Sequence, residues 1–484
     1  MMVEDMLKYA LEEAGRLGAN YAEARYQKDV EEAIILKNGS PEITARSVDE
    51  GISVRVLVDG ALGFSSTPFL TRASIREAVR SAFSMARAAS RLLKDRIKLS
   101  DEEMSRARVE VKPRVRFDAV DLDAKIEFLR EVDSSILEAA ERRGLKVMRF
   151  LEVGRRDLEK WVINSDGADV FMRIPRTFLE YFITLYSPQH GSIQRFQHLG
   201  EARGWEAVEA WRPNEMVSEE VEHVAAVLLR GVAPPRDPVD VVLGPEIVGI
   251  ICHESAGHPG EADRVLGREL AQGGDSYIKP ELLGTRIGSD VVTVVDDPII
   301  PYSFGYSPYD DEGIRGRERK LIENGILREL LHNRETAAIF GVSSNGAARS
   351  AGYDLEPIIR MSTTYMKPGD YSFDELLEDI REGVYIKSYQ EWNIDDKRWN
   401  QRYVGVEAYR IVGGELREPV RNPVLEVTTR SLYSSIDAVG KDLKFFAGYC
   451  GKGDPMQSIP VWMGGPHVRL REVRLGSTPP KTDL

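Results

Sequence analysis

Apolar and polar positions divide the chain into segments of two periods. Met6, Tyr9, Ala10 and Ala14 recur at near-helical spacing, so the chain should open with an amphipathic helix. Residues 21–36 then read as a strand. Asn38-Gly39 supplies the residues a tight hairpin demands, and 42–44 return along it. Across 51–64, Ile52, Val54, Val56 and Val58 alternate with outward positions until Asp59-Gly60 turns the chain into Leu62-Gly63-Phe64. Turns this short join antiparallel strands. Helical stripes follow at 73–93 (Ile75, Ala78, Val79, Ala82, Phe83, Ala86, Ala89) and 121–142 (Ile126, Leu129, Val132, Ile136, Leu137). Strands return over 146–186, and 218–232 is helical.

That last helix runs into Gly231-Val232-Ala233-Pro234-Pro235-Arg236-Asp237-Pro238, the strongest break in the chain. It separates an N-terminal α+β domain, 1–232, from a C-terminal domain, 239–484, with 233–238 as linker. Strand signals resume at 239–243 and 291–295. Hairpin-shaped units follow at 320–331 around Asn324-Gly325, at 404–418 around Gly413-Gly414, and at 459–470. They keep no fixed period, so a solenoid is not expected. The expected fold class is α+β, with mixed and antiparallel sheets and a hairpin-rich C-terminal half.

Composition narrows the function. With 484 residues, 42% hydrophobic and 30% charged, the chain is long enough for two large cores and is not a disordered or fibrous protein. Its net charge of −13, spread along the whole length, argues against direct binding to nucleic acid. The most apolar run, 239–252, is broken by Asp240, Pro245 and Glu246, which argues against a membrane span. Glu4, Asp5, Glu12 and Glu13 stand where a secretory leader needs basic and apolar regions. Two cysteines, Cys252 and Cys450, cannot build a disulfide framework, and a reducing cytoplasm is the simpler context.

Chemistry concentrates in Cys252-His253-Glu254-Ser255-Ala256-Gly257-His258-Pro259-Gly260-Glu261-Ala262-Asp263. His-Glu-x-x-x-His is one residue longer than the His-Glu-x-x-His of many zinc proteases. Two neutral imidazoles can hold a zinc ion, and the intervening carboxylate can take the proton of an attacking water. Positions five apart lie about 140° from each other on a regular helix, so His253 and His258 would not share a face. The helix must bulge into an i→i+5 turn, or unwind near Gly257 and Pro259, with Gly257 free to adopt positive φ and Pro259 biasing His258 away from helical geometry. The competing reading is a kinked core helix whose histidines only satisfy hydrogen bonds.

A third ligand is open among His190, His198, His223, His332, His467, many carboxylates and Cys450; Glu261 and Asp263 could be ligands or could brace the imidazoles. Glycines around Cys450 suggest a turn, and Lys452 would favour a thiolate there. Cys252, within an apolar run, reads as core.

The motif stretch resembles the TldD/PmbA family, the modulators of DNA gyrase, and within it the TldD-like branch that carries the metal motif. Further matching pieces are Gly51-Ile52-Ser53-Val54-Arg55-Val56 through Gly63-Phe64, Asp310-Asp311-Glu312-Gly313, Asn345-Gly346 through Arg360-Met361 to Thr364-Tyr365-Met366-Lys367-Pro368-Gly369, and Cys450-Gly451-Lys452. One departure is Gly453-Asp454-Pro455-Met456-Gln457, a small insertion where the family has Gly-Gln after the cysteine. The resemblance implies a cytoplasmic zinc metallopeptidase with one zinc ion on His253, His258 and Cys450, and Glu254 as catalytic base. It also implies a TldE/PmbA-like partner subunit, or a homodimer, around a cavity that admits unfolded peptides.

The donor to the substrate's oxyanion is left open among Tyr449, His467 and backbone N–H groups at Asn345-Gly346. An exposed strand edge could hold an extended peptide by β-addition. The rival function is a non-hydrolytic regulatory or scaffold protein with a structural metal, acting on a DNA-processing machine.

Overall fold

The Asn38-Gly39 turn builds a hairpin longer than its alternation suggests. In the computed structural model, which describes residues 2–269 and 274–477, α1 (Val3–Leu17) is followed by β1 (Tyr21–Lys37) and β2 (Ser40–Val58). The two strands pair from Tyr21 opposite Leu57 to Lys37 opposite Ser40. The two short returning strands expected at 42–44 and 51–58 are therefore one. Residues 40–49 are exposed on both faces, so no apolar alternation marks them, yet their backbone ladder continues.

β3 (Ala61–Thr67), β4 (Arg106–Glu110), β5 (Lys146–Asn164), β6 (Asp169–Ile174), β7 (Thr177–Ser187) and β8 (Gly191–Glu201) complete an eight-stranded sheet. Its order is β3-β2-β1-β5-β6-β4, with β7 also on β5 and β8 on β7; only β4 and β6 run parallel. α2 (Arg72–Ser90) lays Ile75, Val79 and Ala82 against Ile52, Val54 and Val56. α3 (Leu122–Arg142) lays Leu129, Val132 and Ile136 against Leu151 and Val153. After the short α4 (Trp205–Trp211), α5 (Pro213–Arg230) starts earlier than expected, because Pro213 suits a first helical position.

Beyond α5, β9 (Val239–Leu243) enters a six-stranded sheet, parallel to Glu382–Ile386 and antiparallel to Val468–Val473. A second six-stranded sheet joins Val294–Asp296, Thr363–Met366, Gln457–Gly465 and Lys444–Lys452, with the last strand at its edge. A four-stranded sheet contains Tyr389–Ile394 and Asn400–Gly405.

Two of the expected hairpins form, at Asn324-Gly325 and Gly413-Gly414, where all four residues have positive φ. The third does not. Gln457–Gly465 and Val468–Val473 lie in different sheets, and Pro466 between them has no N–H to extend a ladder. Of the C-terminal segment 239–484, residues 270–273 and 478–484 lie outside the described residues. Helices and mixed sheets together make an α+β fold. No helix among the described residues is long and apolar enough to cross a membrane.

Buried charges fasten the eight-stranded sheet to the C-terminal segment. The Asp311 carboxylate lies 2.8 Å from Arg25 and 2.7 Å from Lys160. Arg55 lies 2.6 Å from Glu312 and 2.9 Å from Glu23.

Candidate metal centre

α6 (Pro245–Cys252) begins at a second well-placed proline and is buried at every residue. Gly249 lets it lie directly on the strand Gln457–Gly465: a Cβ there would come within 2.8 Å of the Gly464 nitrogen. The neighbouring strand, Lys444–Lys452, carries Cys450 opposite Ile459. Cys450 is thus 2% exposed in a packed strand, not in a turn as its glycines suggested. Gly448 and Gly451 instead face Met463 and Met456 at under 3 Å from a would-be Cβ, so these glycines serve close packing.

From His253 the helix changes pitch. Residues His253–Gly257 form a π turn and His258–Gly260 a 3₁₀ turn, and the His258 N–H donates to the His253 carbonyl, an i→i+5 bond. That bond brings the two imidazoles to one side, with ring centroids 4.9 Å apart and planes at 84°. The bulge alone achieves this. His258 keeps helical angles (φ −56°, ψ −48°) despite Pro259, and Gly257 uses negative φ (−64°). Gly257 is needed for space instead, since a Cβ would sit 1.9 Å from Met361 Sδ. Polar groups around the bulge are satisfied by side chains: Ser255 Oγ donates to Ile251 O at 2.6 Å, and Tyr277 OH to Ser255 O at 3.1 Å.

His253, His258 and Cys450 each offer a ligand atom within 4.8 Å of the others. Cys450 Sγ lies 3.6 Å from His258 Nε2. A tetrahedral metal roughly 2.3 Å from sulfur and 2.0–2.1 Å from nitrogen requires a separation of about 3.6 Å, so this pair fits such an ion. Among the described residues the buried His253 Nδ1 has no hydrogen-bond partner, as expected of a ring whose environment is completed by something further. Burial lowers the His253 pKa and so favours the neutral imidazole that binds metal. Burial pushes the Cys450 thiol up, but His258 and Arg360 outweigh it and bring the pKa to about 7.

Lys452 does not play the part expected of it. Two residues along the same strand face, its ammonium reaches 2.7 Å from both Asp263 oxygens and 3.4 Å from Glu261. Arg360 is the cation at the thiol, donating to the carbonyls of Cys450 and Gln457. Glu261 takes His258 Nδ1 at 3.2 Å and Arg264 at 2.7 Å, leaving Nε2 of His258 toward the sulfur. Its carboxyl is fully buried, yet Lys452, His258 and Arg264 hold it well below the usual carboxylate range. Cys252 is buried in the core, its thiol pushed up to about 12.

Glu254, 7% exposed, does not join the donor cluster and pairs with Arg398 at 2.5 Å. The other histidines are engaged elsewhere: His198 with Glu180, His223 with Glu407, His332 with Thr336, and His467 with Asp442 and Tyr385; His190 is exposed. Tyr449 points to the opposite strand face and packs on Phe178, His198 and Phe304. The carbonyls of Asn345 and Gly346 accept from Arg319. Arg398 escaped the sequence reading. Asp395-Asp396 signals a turn, but nothing local tells where its tip points.

Comparison with known proteins agrees along the chain. Family models for the PmbA/TldA metallopeptidase match in three parts: domain 1 at 22–86, the central domain at 116–229 and the C-terminal domain at 236–477. A metalloprotease of Methanothermobacter thermautotrophicus is 35% identical over 95% of this chain and 96% of its own. The zinc metalloprotease TldD homolog of Saccharolobus solfataricus is 28% identical over 97% and 99%. The crystal structure of TldE from Thermococcus kodakarensis shares the fold, with a TM-score of 0.77 at 17% identity over 98% and 100% of the two chains. A family model matched over 236–477 and a 35% identical relative matched nearly end to end make this protein a member of the PmbA/TldD family of metallopeptidases.

Proposed function

We propose that the protein is a zinc-dependent peptidase acting on unfolded peptides or small proteins, with one zinc ion on His253, His258 and Cys450 and with Glu254 as general base. The observation that carries this reading is a cluster of three donors among the described residues, with the carboxylate of Glu254 from the same motif outside it and paired with Arg398. Zinc in such a set supplies a Lewis acid and lowers the pKa of water to about 7. Glu254 accepts the proton of the attacking water and returns it to the leaving amine. Glu261 fixes the His258 ring so that Nε2 is the free nitrogen.

Cys450 stands on the edge strand of its sheet, which favours an extended peptide held through its main chain by β-addition. Substrates N-methylated at successive amides should then resist cleavage at several positions, and unchanged rates would remove the idea. A TldE-like subunit, or a second copy of this chain, is the proposed partner, and residues 1–232 and 239–484 are the proposed domains. A thiolate ligand implies a reducing compartment, the cytoplasm. The rival scaffold with a structural metal is less well supported. Structural zinc usually has four protein ligands, and the cluster among the described residues has three.

The test is zinc content and peptide hydrolysis of the wild type beside Glu254→Ala and Cys450→Ser, with and without a co-purifying partner. Glu254→Ala should keep zinc and lose hydrolysis, and Cys450→Ser should lose zinc. Hydrolysis by Glu254→Ala at the wild-type rate would exclude the mechanism.

A further inference from the structure

Arg398 sits at the tip of the hairpin formed by Tyr389–Ile394 and Asn400–Gly405, far in sequence from the motif, and its guanidinium ends on the carboxylate of Glu254. Its backbone has φ +62°, a conformation that residues with side chains seldom adopt. The tip is held there from several sides. The Arg398 N–H donates to Asp395 O at 2.9 Å, Trp399 N–H donates to Asp395 Oδ1 at 2.7 Å, and Thr429 Oγ1 donates to Arg398 O at 2.7 Å. The Trp399 ring packs on Tyr277, which itself braces the π turn. A strained residue locked by its surroundings marks a place where side-chain direction matters. Its Nε is buried and has no hydrogen-bond partner among the described residues.

We propose that Arg398 is a catalytic residue of the hydrolysis, its guanidinium donating to the substrate carbonyl oxygen as negative charge develops there. The proposal rests on the peptidase reading above. In the addition step, the water's proton passes to Glu254 and its oxygen pair forms the new C–O bond, while the carbonyl π pair withdraws to oxygen. Glu254 loses its charge as the carbonyl oxygen gains one, so a cation beside both keeps a partner throughout. On collapse the oxyanion pair re-forms the C=O bond as the C–N bond breaks, the C–N pair leaves with nitrogen, and nitrogen takes the proton back from Glu254. A preorganised cation aimed at a developing oxyanion acts chiefly on the transition state. Of the groups named as donors from sequence, Tyr449 packs on His198 and His467 is bonded to Tyr385. Arg398 is thus the cation already in contact with the base.

The test compares wild type, Arg398→Ala, Arg398→Lys and Glu254→Gln as full chains with whatever partner the wild type requires. Five quantities are measured: zinc content, kcat and KM on an unfolded fluorogenic peptide, affinity for that peptide's phosphinic analogue, and affinity for an uncleaved amide peptide. The phosphinic group is tetrahedral and anionic like the adduct. Arg398→Ala should keep zinc and lose about 10²–10³-fold in kcat, with KM changed less than about threefold. Its affinity for the phosphinic peptide should fall by a similar factor and for the amide peptide hardly at all, with Arg398→Lys in between. Arg398→Gln, which keeps the stem, is read in the same way if the alanine variant does not fold. Wild-type kcat, a loss confined to KM, or an equal loss of affinity for both peptides would overturn the proposal and leave Arg398 a merely structural residue. If Glu254→Gln is inactive while the Arg398 variants keep wild-type kcat, only this inference fails. Full activity of Glu254→Gln would remove the underlying reading as well.

Discussion

His258 Nδ1 lies 3.2 Å from the Glu261 carboxylate, which is fully buried and neutralised by Arg264 and Lys452. A carboxylate behind an imidazole fixes its tautomer and its direction. Replacing it by an amide keeps the shape but removes the charge and the certainty of the acceptor. Glu261→Gln should therefore weaken metal binding by about 10–100-fold, read by competition with a chromogenic chelator. An unchanged affinity would mean that the ring is oriented by packing alone.

Gly257 and Gly15 should respond to alanine in opposite ways. At Gly257 the new methyl would meet Met361 Sδ at 1.9 Å, whereas at Gly15, inside α1, it would meet nothing within 4 Å. Overpacking should cost Gly257→Ala about 1–3 kcal/mol in urea unfolding, partly recovered with Met361→Ala. Gly15→Ala should raise stability by about 0.5–1 kcal/mol.

Asp311, in a turn of the C-terminal segment, holds two buried cations from the eight-stranded sheet, Arg25 and Lys160. Asp311→Ala leaves both unpaired and should destabilise the chain by about 3–5 kcal/mol. The same contacts predict acid sensitivity. Burial raises the Asp311 pKa, but Lys160 and Arg25 outweigh it and bring it from 3.8 to about 2. Because the folded-state value is depressed, the unfolded chain binds the proton first. The stabilisation is complete above the unfolded value and disappears as pH falls through the folded one. Thermal unfolding followed between pH 5 and pH 2 should show the loss in wild type and a flatter profile in Asp311→Ala.

Glu152 on β5 faces Glu180 on β7, and burial together with that neighbour pushes its carboxyl from 4.5 to about 7. Here the folded form holds the extra proton, so stability falls as pH rises between those two values. Glu152→Gln should leave stability unchanged near pH 4 and raise it at pH 8. After discounting for its partial exposure, about 1 kcal/mol is expected. Equal melting curves for the two proteins at pH 8 would show that the carboxylate is solvated.

Much of this architecture is local enough to be read from residue order. The stripes of α2 and α3, the Asn-Gly, Asp-Gly and Gly-Gly turns, and the need for a bulge between His253 and His258 all follow from periods and dihedral preferences within a few residues. The failures are equally specific. Residues 40–49 of β2 lacked alternation because neither face is buried, and 459–470 resembled a hairpin although its two strands join different sheets. Strand pairing over such distances has no local signature.

The same division runs through the centre of the molecule. By itself the sequence determined the motif, its register problem and the choice of chemistry, because those depend on residue types a turn apart. Only the tertiary structure decided that Cys450 meets His258 across 192 residues, that Arg360 rather than Lys452 stands by the thiol, and that Arg398 reaches Glu254. α6 packs on strands Gln457–Gly465 and Lys444–Lys452, while Arg360 and the Arg398 hairpin tip come from other elements to meet Cys450 and Glu254. It is burial that holds charged groups together there, at positions no spacing along the chain can specify.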